Sequence, residues 1–434
     1  MSRILNRVPR SSRLSGFHRL TVQERRDKLV ETTWLTDERA ASLEQPACGL
    51  SEHDADAMIE NVVGLHALPL SVALNFRVNG ADRVVPMSVE EPSIVAAASS
   101  AARLTLAGGG FWARCDEPVL TCQVQLLDVA DPEAGQARIL AAKPELLALA
   151  DSFIPRMVKR GGGARDLEVR VLSELVVVHV HVDVRDAMGA NTVNTVAEGL
   201  ADRLAELARG RVGLRILTNL SDRRKVTAGC RVPVEALASR DFPDGAFVAR
   251  RVVEAQRFAE LDPYRAVTHN KGVMNGVDAV LVAFGNDWRA VEAGAHAWAA
   301  RGGAYRPLTR WWVEGDALVG ELTLPMATST VGGAARTHPG VKLALELAHV
   351  SSANDLGALA AAAGLATNLA ALRALSTEGI NRGHMALHAR RVAAEAGAAP
   401  AQVAVVAAQL SAEGCYRPER ARVIVAELAE EARA

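Results

Sequence analysis

Apolar and polar positions change rhythm several times along the chain, and each change predicts an element. Residues 21–60 carry three helix-capping signatures, at Thr21 before Val22-Gln23-Glu24, at Thr36, and at Ser51 with Asp54. Residues 67–78 alternate poorly, whereas 84–89 are β-branched and strand-like. The Ala-rich run 92–106 predicts a helix that opens at Pro92 and stops at Gly108-Gly109-Gly110. Residues 119–129 alternate as a strand, 132–158 are helical, 167–172 and 175–184 are strands, 191–209 a helix and 212–217 a strand. That β-α-β-β-α-β order is the split-βαβ motif, a compact unit set into a chain whose helical pattern resumes after it. Beyond it, 246–261 predict a helix, 280–284 a short buried strand, 288–301 a helix, and 311–324 a hairpin around Glu314-Gly315-Asp316. Residues 341–375 predict two Ala/Leu-rich helices broken near Gly364. A last helical section starts between Gly379 and Gly383, the arrangement expected of a mobile lid.

Composition narrows the classes. The 434 residues suggest two or three domains at ~150 residues each. A hydrophobic content of 49% with 23% charged residues excludes global disorder. Lys and Arg number 49 against 50 Asp and Glu, which speaks against nucleic-acid or polybasic membrane partners and leaves room for a local anion site. The five cysteines are scattered without a CxxC, so neither a disulfide framework nor a thiolate zinc site is expected. No uncharged apolar run reaches the ~18 residues of a membrane span, and the longest candidate, 94–111, is interrupted by Arg103. The first twenty residues are basic but lack the apolar core of a secretory signal. They are expected as an arm at a surface or subunit contact of a cytoplasmic protein.

Polar clusters stand at the ends of apolar segments. Glu90-Glu91-Pro92-Ser93 puts carboxylates and a hydroxyl at a helix start, which serves either a site or the helix dipole. In His269-Asn270-Lys271-Gly272-Val273-Met274-Asn275-Gly276 a lysine lies among amides and glycines, as an oxyanion site or a polar turn would have it. Asp287 follows in Gly285-Asn286-Asp287, at a helix N-cap. His179, His181, Asp183 and Arg185 share one strand face, but with two histidines and no third well-spaced ligand a metal is not expected. The turn Asp186-Ala187-Met188-Gly189-Ala190-Asn191 leads into a helix and reads as a phosphate cradle, in a chain with neither GxGxxG nor GxxxxGK[ST]. His384 and His388 are spaced i, i+4 but lack the glutamate of HExxH, so a general acid on a lid is the alternative to a surface histidine.

Together these stretches resemble the 3-hydroxy-3-methylglutaryl-coenzyme A (HMG-CoA) reductases of the bacterial class II type. The resemblance rests on Glu60-Asn61-Val62-Val63-Gly64, Leu74-Asn75-Phe76-Arg77-Val78-Asn79-Gly80, the run from Glu90 to Ser99, and the run from Asp183 to Thr195. It continues through Asp262-Pro263-Tyr264-Arg265, the segments around Lys271 and Asp287, and the run from Glu378 to Ala389. It implies an α+β fold, with a large, mostly helical substrate domain in two parts (1–116 and 224–378), an inserted ferredoxin-like NAD(P)-binding domain (117–223) and a helical C-terminal flap (379–434). It implies interconversion of HMG-CoA with mevalonate and CoA by two hydride transfers. Lys271 then stabilises the oxyanion, Glu91 supplies the carbonyl proton, Asp287 tunes both, and His384 protonates the leaving CoA thiolate. Ser93, Arg265, Asn275 and Asn368 match the substrate binders, and Asp186, Ala187, Met188, Gly189 and Asn191 match the dinucleotide turn. A homodimer or higher oligomer of dimers, without metal, is implied as well.

One departure bears on the cofactor. NAD-using relatives carry an acid in the helix before the triple glycine, and here that position is Ile154. Asp151 stands in for it on an NAD(H) reading, which we adopt from sequence, while Arg156 and Lys159 would pair a 2′-phosphate of NADP(H). The alternative function is a CoA-ester-binding protein on the same fold without catalysis.

Overall fold

The computed structural model describes residues 10–377, 379, 389–399 and 401–431. Helices α1 (Val22–Glu31), α2 (Asp37–Ser42) and α3 (Glu52–Asp56) carry the expected caps, Thr21 in a reciprocal box with Glu24, then Thr36 and Ser51. The described part of the N-terminal arm packs on the chain's own first hairpin. Ser12 donates its hydroxyl to the Phe76 carbonyl (2.9 Å) and its N–H to Asp82 (3.0 Å). That hairpin is β1 (Leu70–Val78) with β2 (Ala81–Ser88). Its weak alternation has a cause: the register slips between Ala73 and Phe76, where Asn75 takes φ 67°, and such a bulge breaks the period of two. Helix α4 (Ile94–Thr105) begins two residues later than Pro92 predicts, because Ser93, with φ 78°, takes the N-cap and leaves Pro92 outside the helix.

After β3 (Phe111–Cys115), the predicted β-α-β-β-α-β order is present. Its elements are β4 (Val119–Leu127), α5 (Pro132–Ala141), α6 (Lys143–Phe153), α7 (Pro155–Lys159), β5 (Gly163–Leu172), β6 (Leu175–Asp183), α8 (Ala190–Ala208) and β7 (Arg211–Leu217). The strands form an antiparallel sheet ordered β5-β6-β4-β7, the ferredoxin-like arrangement, over a core that includes Leu120, Ile139, Val178 and Leu200.

The remaining elements are β8 (Lys225–Pro233), α9 (Val234–Leu237), α10 (Gly245–Leu261), α11 (Pro263–Ala283), α12 (Trp288–Ala299), β9 (Thr309–Glu314), β10 (Ala317–Pro325), α13 (Ala334–Thr337), α14 (Pro339–Leu347) and α15 (Ala353–Ser376). Three sequence expectations change here. Residues 280–284 are no strand: 280–283 are the last turn of α11 and Phe284 is its C-cap. A short apolar run reads alike in a buried strand and a buried helix, and only its neighbours decide. Gly364 does not interrupt α15; the break between helices falls at 348–352. The strands β3 and β8, unread in the sequence, join a six-stranded sheet ordered β2-β1-β3-β8-β10-β9 at the centre of the large helical part.

Helix α15 is apolar all round and buried along nearly its whole length, as a core helix must be. By length and composition alone it is the one described helix that could cross a membrane, and it is packed inside the molecule instead. Its contact with α11 is close because small residues face each other. A Cβ on Gly276 would stand 2.5 Å from the Ala363 carbonyl oxygen, and one on Gly364 2.7 Å from Val277 Cγ2. At the C-terminus, helices Val403–Glu413 and Pro418–Glu431 share a small core with Val392. Residues 380–388, which hold His384 and His388, lie outside the described residues.

Candidate active site

The N-terminus of α4, one face of α11 and the last turns of α15 enclose a cleft of about 500 Å³. Glu91 reaches it from the bend before α4, and Ser93 from the α4 N-cap. Asp262 caps α11 by accepting the N–H groups of Tyr264 and Arg265, with Pro263 in the first turn. Arg265, Thr268, Lys271, Gly272 and Asn275 then line the cleft. Lys271 therefore sits mid-helix, not in a turn. Its Nζ lies 2.6 Å from Glu91 Oε2, with both side chains about half exposed. An ion pair that wet adds little to stability, so its position in a cleft argues for chemistry.

The back wall is a buried polar cluster. The Asn368 carbonyl oxygen accepts from Trp311 Nε1 (2.8 Å), which fixes the amide so that Nδ2 meets His269 Nε2 (3.1 Å). Nε2 is then the acceptor, and the ring proton belongs on Nδ1, which is buried with no partner. Burial and then Arg265 push the His269 pKa down to about 3, so the ring is neutral. Two guanidinium groups face the same cleft. Arg265 is half-buried, and that burial lowers its pKa. Arg373, on the last turn of α15, has a buried Nε with no partner. Among the described residues no carboxylate pairs with either. A wall of unpaired guanidinium groups is suited to an incoming carboxylate. Sequence reading missed Arg373 and gave His269 no role. Arg373 is one charge at the end of an Ala-rich helix, with no local motif to mark it.

The other predicted residues gather elsewhere. Asp287 caps α12, accepting from Ala290 N–H at 3.0 Å. Next to it, the Asn286 side chain bonds the backbone of Ser329 at both ends (2.7 and 3.1 Å), and Thr330 N–H donates to the Asp186 carbonyl (3.1 Å). Asp287 is thus beside the 186–191 turn. Buried Arg224 holds that turn through the carbonyls of Ala187 (3.1 Å) and Met188 (3.3 Å). The Asp186 carboxylate accepts from Ala353 N–H (2.9 Å) at the start of α15, so that side chain braces the turn. Gly189 takes φ 99°, and a Cβ there would stand 2.5 Å from Val184. The α8 N-terminus it opens has no side-chain cap, leaving its N–H groups for an anion such as a pyrophosphate. Around the neighbouring glycines, Asp151 is occupied by Ala164 N–H (2.7 Å) and Ile154 is buried, whereas Arg156 and Lys159 are exposed. Asp186 and Ala353 mark one end of α15 and the cleft marks the other. The fifteen helical steps from Ala353 to Asn368 rise about 22 Å.

His179 and His181 bond Gln123 (2.9 Å) and Thr121 (2.8 Å) across the small sheet. All five cysteines are free, and burial pushes the Cys115 thiol up to about 11 and Cys122 to about 12, against a nucleophilic role.

Comparison with known proteins places this geometry in a family. A profile for hydroxymethylglutaryl-coenzyme A reductase matches residues 21–389. The chain is 45% identical over 394 residues to a 3-hydroxy-3-methylglutaryl-coenzyme A reductase of Archaeoglobus fulgidus, covering 89% of this chain and 88% of that one. A probable reductase of Borreliella burgdorferi is 32% identical, covering 77% of each. Among solved structures, the reductase of Streptococcus pneumoniae aligns with a TM-score of 0.82 and 43% identity over 95% of this chain and 99% of that one. A class II form from the same organism, bound to NADPH, aligns at 0.81 with 44% identity over 84% and 99%.

Proposed function

The chain belongs to the hydroxymethylglutaryl-coenzyme A reductase family, in its class II form, and on that premise we propose how its residues divide the work. The reaction interconverts HMG-CoA with mevalonate and CoA by two successive hydride transfers. Lys271 holds the oxyanion that develops each time a carbonyl is reduced, and Glu91, 2.6 Å away, hands it a proton. Arg265 and Arg373, with Ser93 and Asn275, take the distal carboxylate and carbonyl oxygens, and Asn368 holds the neutral His269 ring in place behind them. His384 protonates the departing CoA thiolate from the flap formed by 379–434. The Lys271–Glu91 contact in a cleft walled by unpaired guanidinium groups carries this reading.

A reduced nicotinamide, when bound, supplies the hydride. The uncapped α8 N-terminus behind Gly189 would hold its pyrophosphate, making 117–223 the cofactor domain between the two parts of the substrate domain. Since Asp151 is engaged by Ala164, Arg156 and Lys159 are the groups left to meet the ribose. That favours acceptance of NADP(H) over the NAD(H) adopted from sequence. In one chain Asp287 and the turn lie at the wrong end of α15, which supports a homodimer in which each cleft is completed by the partner.

The test is an absorbance assay with HMG-CoA, run with NADPH and again with NADH. We expect two reduced nicotinamides consumed per HMG-CoA, and more activity with NADPH. A ratio near one, or no turnover with either cofactor, overturns the reading.

A further inference from the structure

Behind the cleft runs a chain of polar side chains that the chemistry above does not use. Asp278 follows Lys271 and Asn275 on the same face of α11, at i+7 and i+3. Its carboxyl hydrogen-bonds Glu292 on α12, and its Oδ1 is buried without a partner. Glu292 Oε2 lies 2.6 Å from His296 Nε2, one turn further along α12. His296 Nδ1 lies 2.7 Å from the Tyr305 hydroxyl, and the two rings stack with centroids 5.9 Å apart. The Tyr305 oxygen meets the side chain of Asn270, the residue before Lys271. Asn270 is fully buried, donates to the Arg306 carbonyl (2.9 Å) and accepts from Leu308 N–H (2.8 Å).

With a single proton on the His296 ring, the donors and acceptors fall in one order. Asn270 Oδ1 is taken by Leu308, so its NH₂ faces Arg306 and Tyr305. Tyr305 accepts from Asn270 and directs its own O–H to His296 Nδ1. The ring proton is then on Nε2 and points at Glu292. Glu292 accepts from the ring, and two carboxyls in contact require a proton between them. Asp278 is the member that carries it.

We propose that Asp278, Glu292, His296 and Tyr305 form a positioning clamp, closed by a proton on Asp278, that locks α11 to α12 and sets Lys271 and Asp287 for reduction. The proposal rests on the roles given to Lys271 and Asp287 above. Asn270 ties the segment holding Lys271 to residues 306–308, and Asp287 caps the helix that carries Glu292 and His296. Burial first, then Glu292 as bond partner and like charge, pushes the Asp278 pKa up to about 9. Glu292, itself bonded to the titratable ring of His296, is the charged group that α12 brings against it. A pKa raised above its unfolded value stabilises the fold at low pH, and that contribution fades as pH climbs toward 9.

The test compares purified full-length wild type, Asp278→Asn and Asp278→Ala in kcat, KM and Tm across roughly pH 6 to 9.5. Asparagine keeps a donor toward Glu292 and has no proton to lose. It should keep at least about a third of kcat, while Asp278→Ala loses about 10- to 100-fold with KM changed less than about threefold. Wild-type Tm should fall more steeply toward pH 9 than that of Asp278→Asn. Asp278→Ala with kcat within about twofold of wild type, or equal Tm slopes in wild type and Asp278→Asn, overturns the clamp. If Asp278→Ala does not fold, the Asp278→Asn comparison decides alone. Absence of turnover in wild type overturns the reductase reading and the positioning role together, whereas the Tm slopes report on the shared proton independently.

Discussion

Lys271, Glu91, Ser93, Arg265 and Asn275 were picked out in the sequence by the resemblance of the runs that hold them, since residue types alone left a helix start or a polar turn as open as a site. Arg373 was not, because nothing in an Ala-rich helix says which end of it meets a distant cleft. The structure supplies that link: Arg373 and Arg265 come from different helices, face one cavity and have no carboxylate partner among the described residues. A charge-assisted hydrogen bond lost from a buried anion costs about 1.5–3 kcal/mol, or about 10- to 100-fold. Arg373→Ala should therefore raise the KM for HMG-CoA by that factor with a smaller change in kcat, since the carboxylate is bound equally in ground and transition states. Steady-state kinetics on the mutant check it. A fall in kcat alone would assign Arg373 to the reacting carbonyl instead.

At the level of elements, the small ferredoxin-like unit was readable throughout, because its strands alternate and its helices are amphipathic. The misreadings fall where tertiary contact overrides local pattern. Residues 280–284 are as apolar as a buried strand, but a helix capped at Asp262 runs through 280–283 to the C-cap at Phe284. Gly364 and Gly276 look like helix breakers, yet they are where α11 and α15 touch. That contact separates two glycines that sequence cannot tell apart. A Cβ on Gly276 meets backbone at 2.5 Å, whereas one on Gly272 meets nothing within 4 Å. Gly276→Ala should thus lose about 1–3 kcal/mol through overpacking. Gly272→Ala should be neutral or gain up to about 1 kcal/mol from helix propensity. Urea unfolding of both proteins measures the difference, and equal effects would show that the helices separate at little cost.

At the scale of the whole molecule, the proposed site is divided. Glu91 and Lys271 occupy one end of α15, and Asp287 with the 186–191 turn occupies the other, about 22 Å of helix away. Helix α11 alone continues for twelve residues past Lys271, about 18 Å of rise, before Asp287 is reached. No side chain spans that gap. The surface carries exposed apolar residues, with Val63 fully exposed, Ile59 64% and Tyr264 86%, as an uncovered interface would. A two-fold dimer that sets the cleft of one chain against the turn of its partner makes both sites whole at once. This has a quantitative consequence. Lys271→Ala chains and Asp287→Ala chains should each be inactive alone. Unfolded together in equal amounts and refolded, half of the dimers are mixed, and each mixed dimer has one site with both residues intact. Activity should return to about a quarter of wild type. If both residues served one site within a single chain, mixing would restore nothing, so the measured rate of the mixture tells a shared site from a private one.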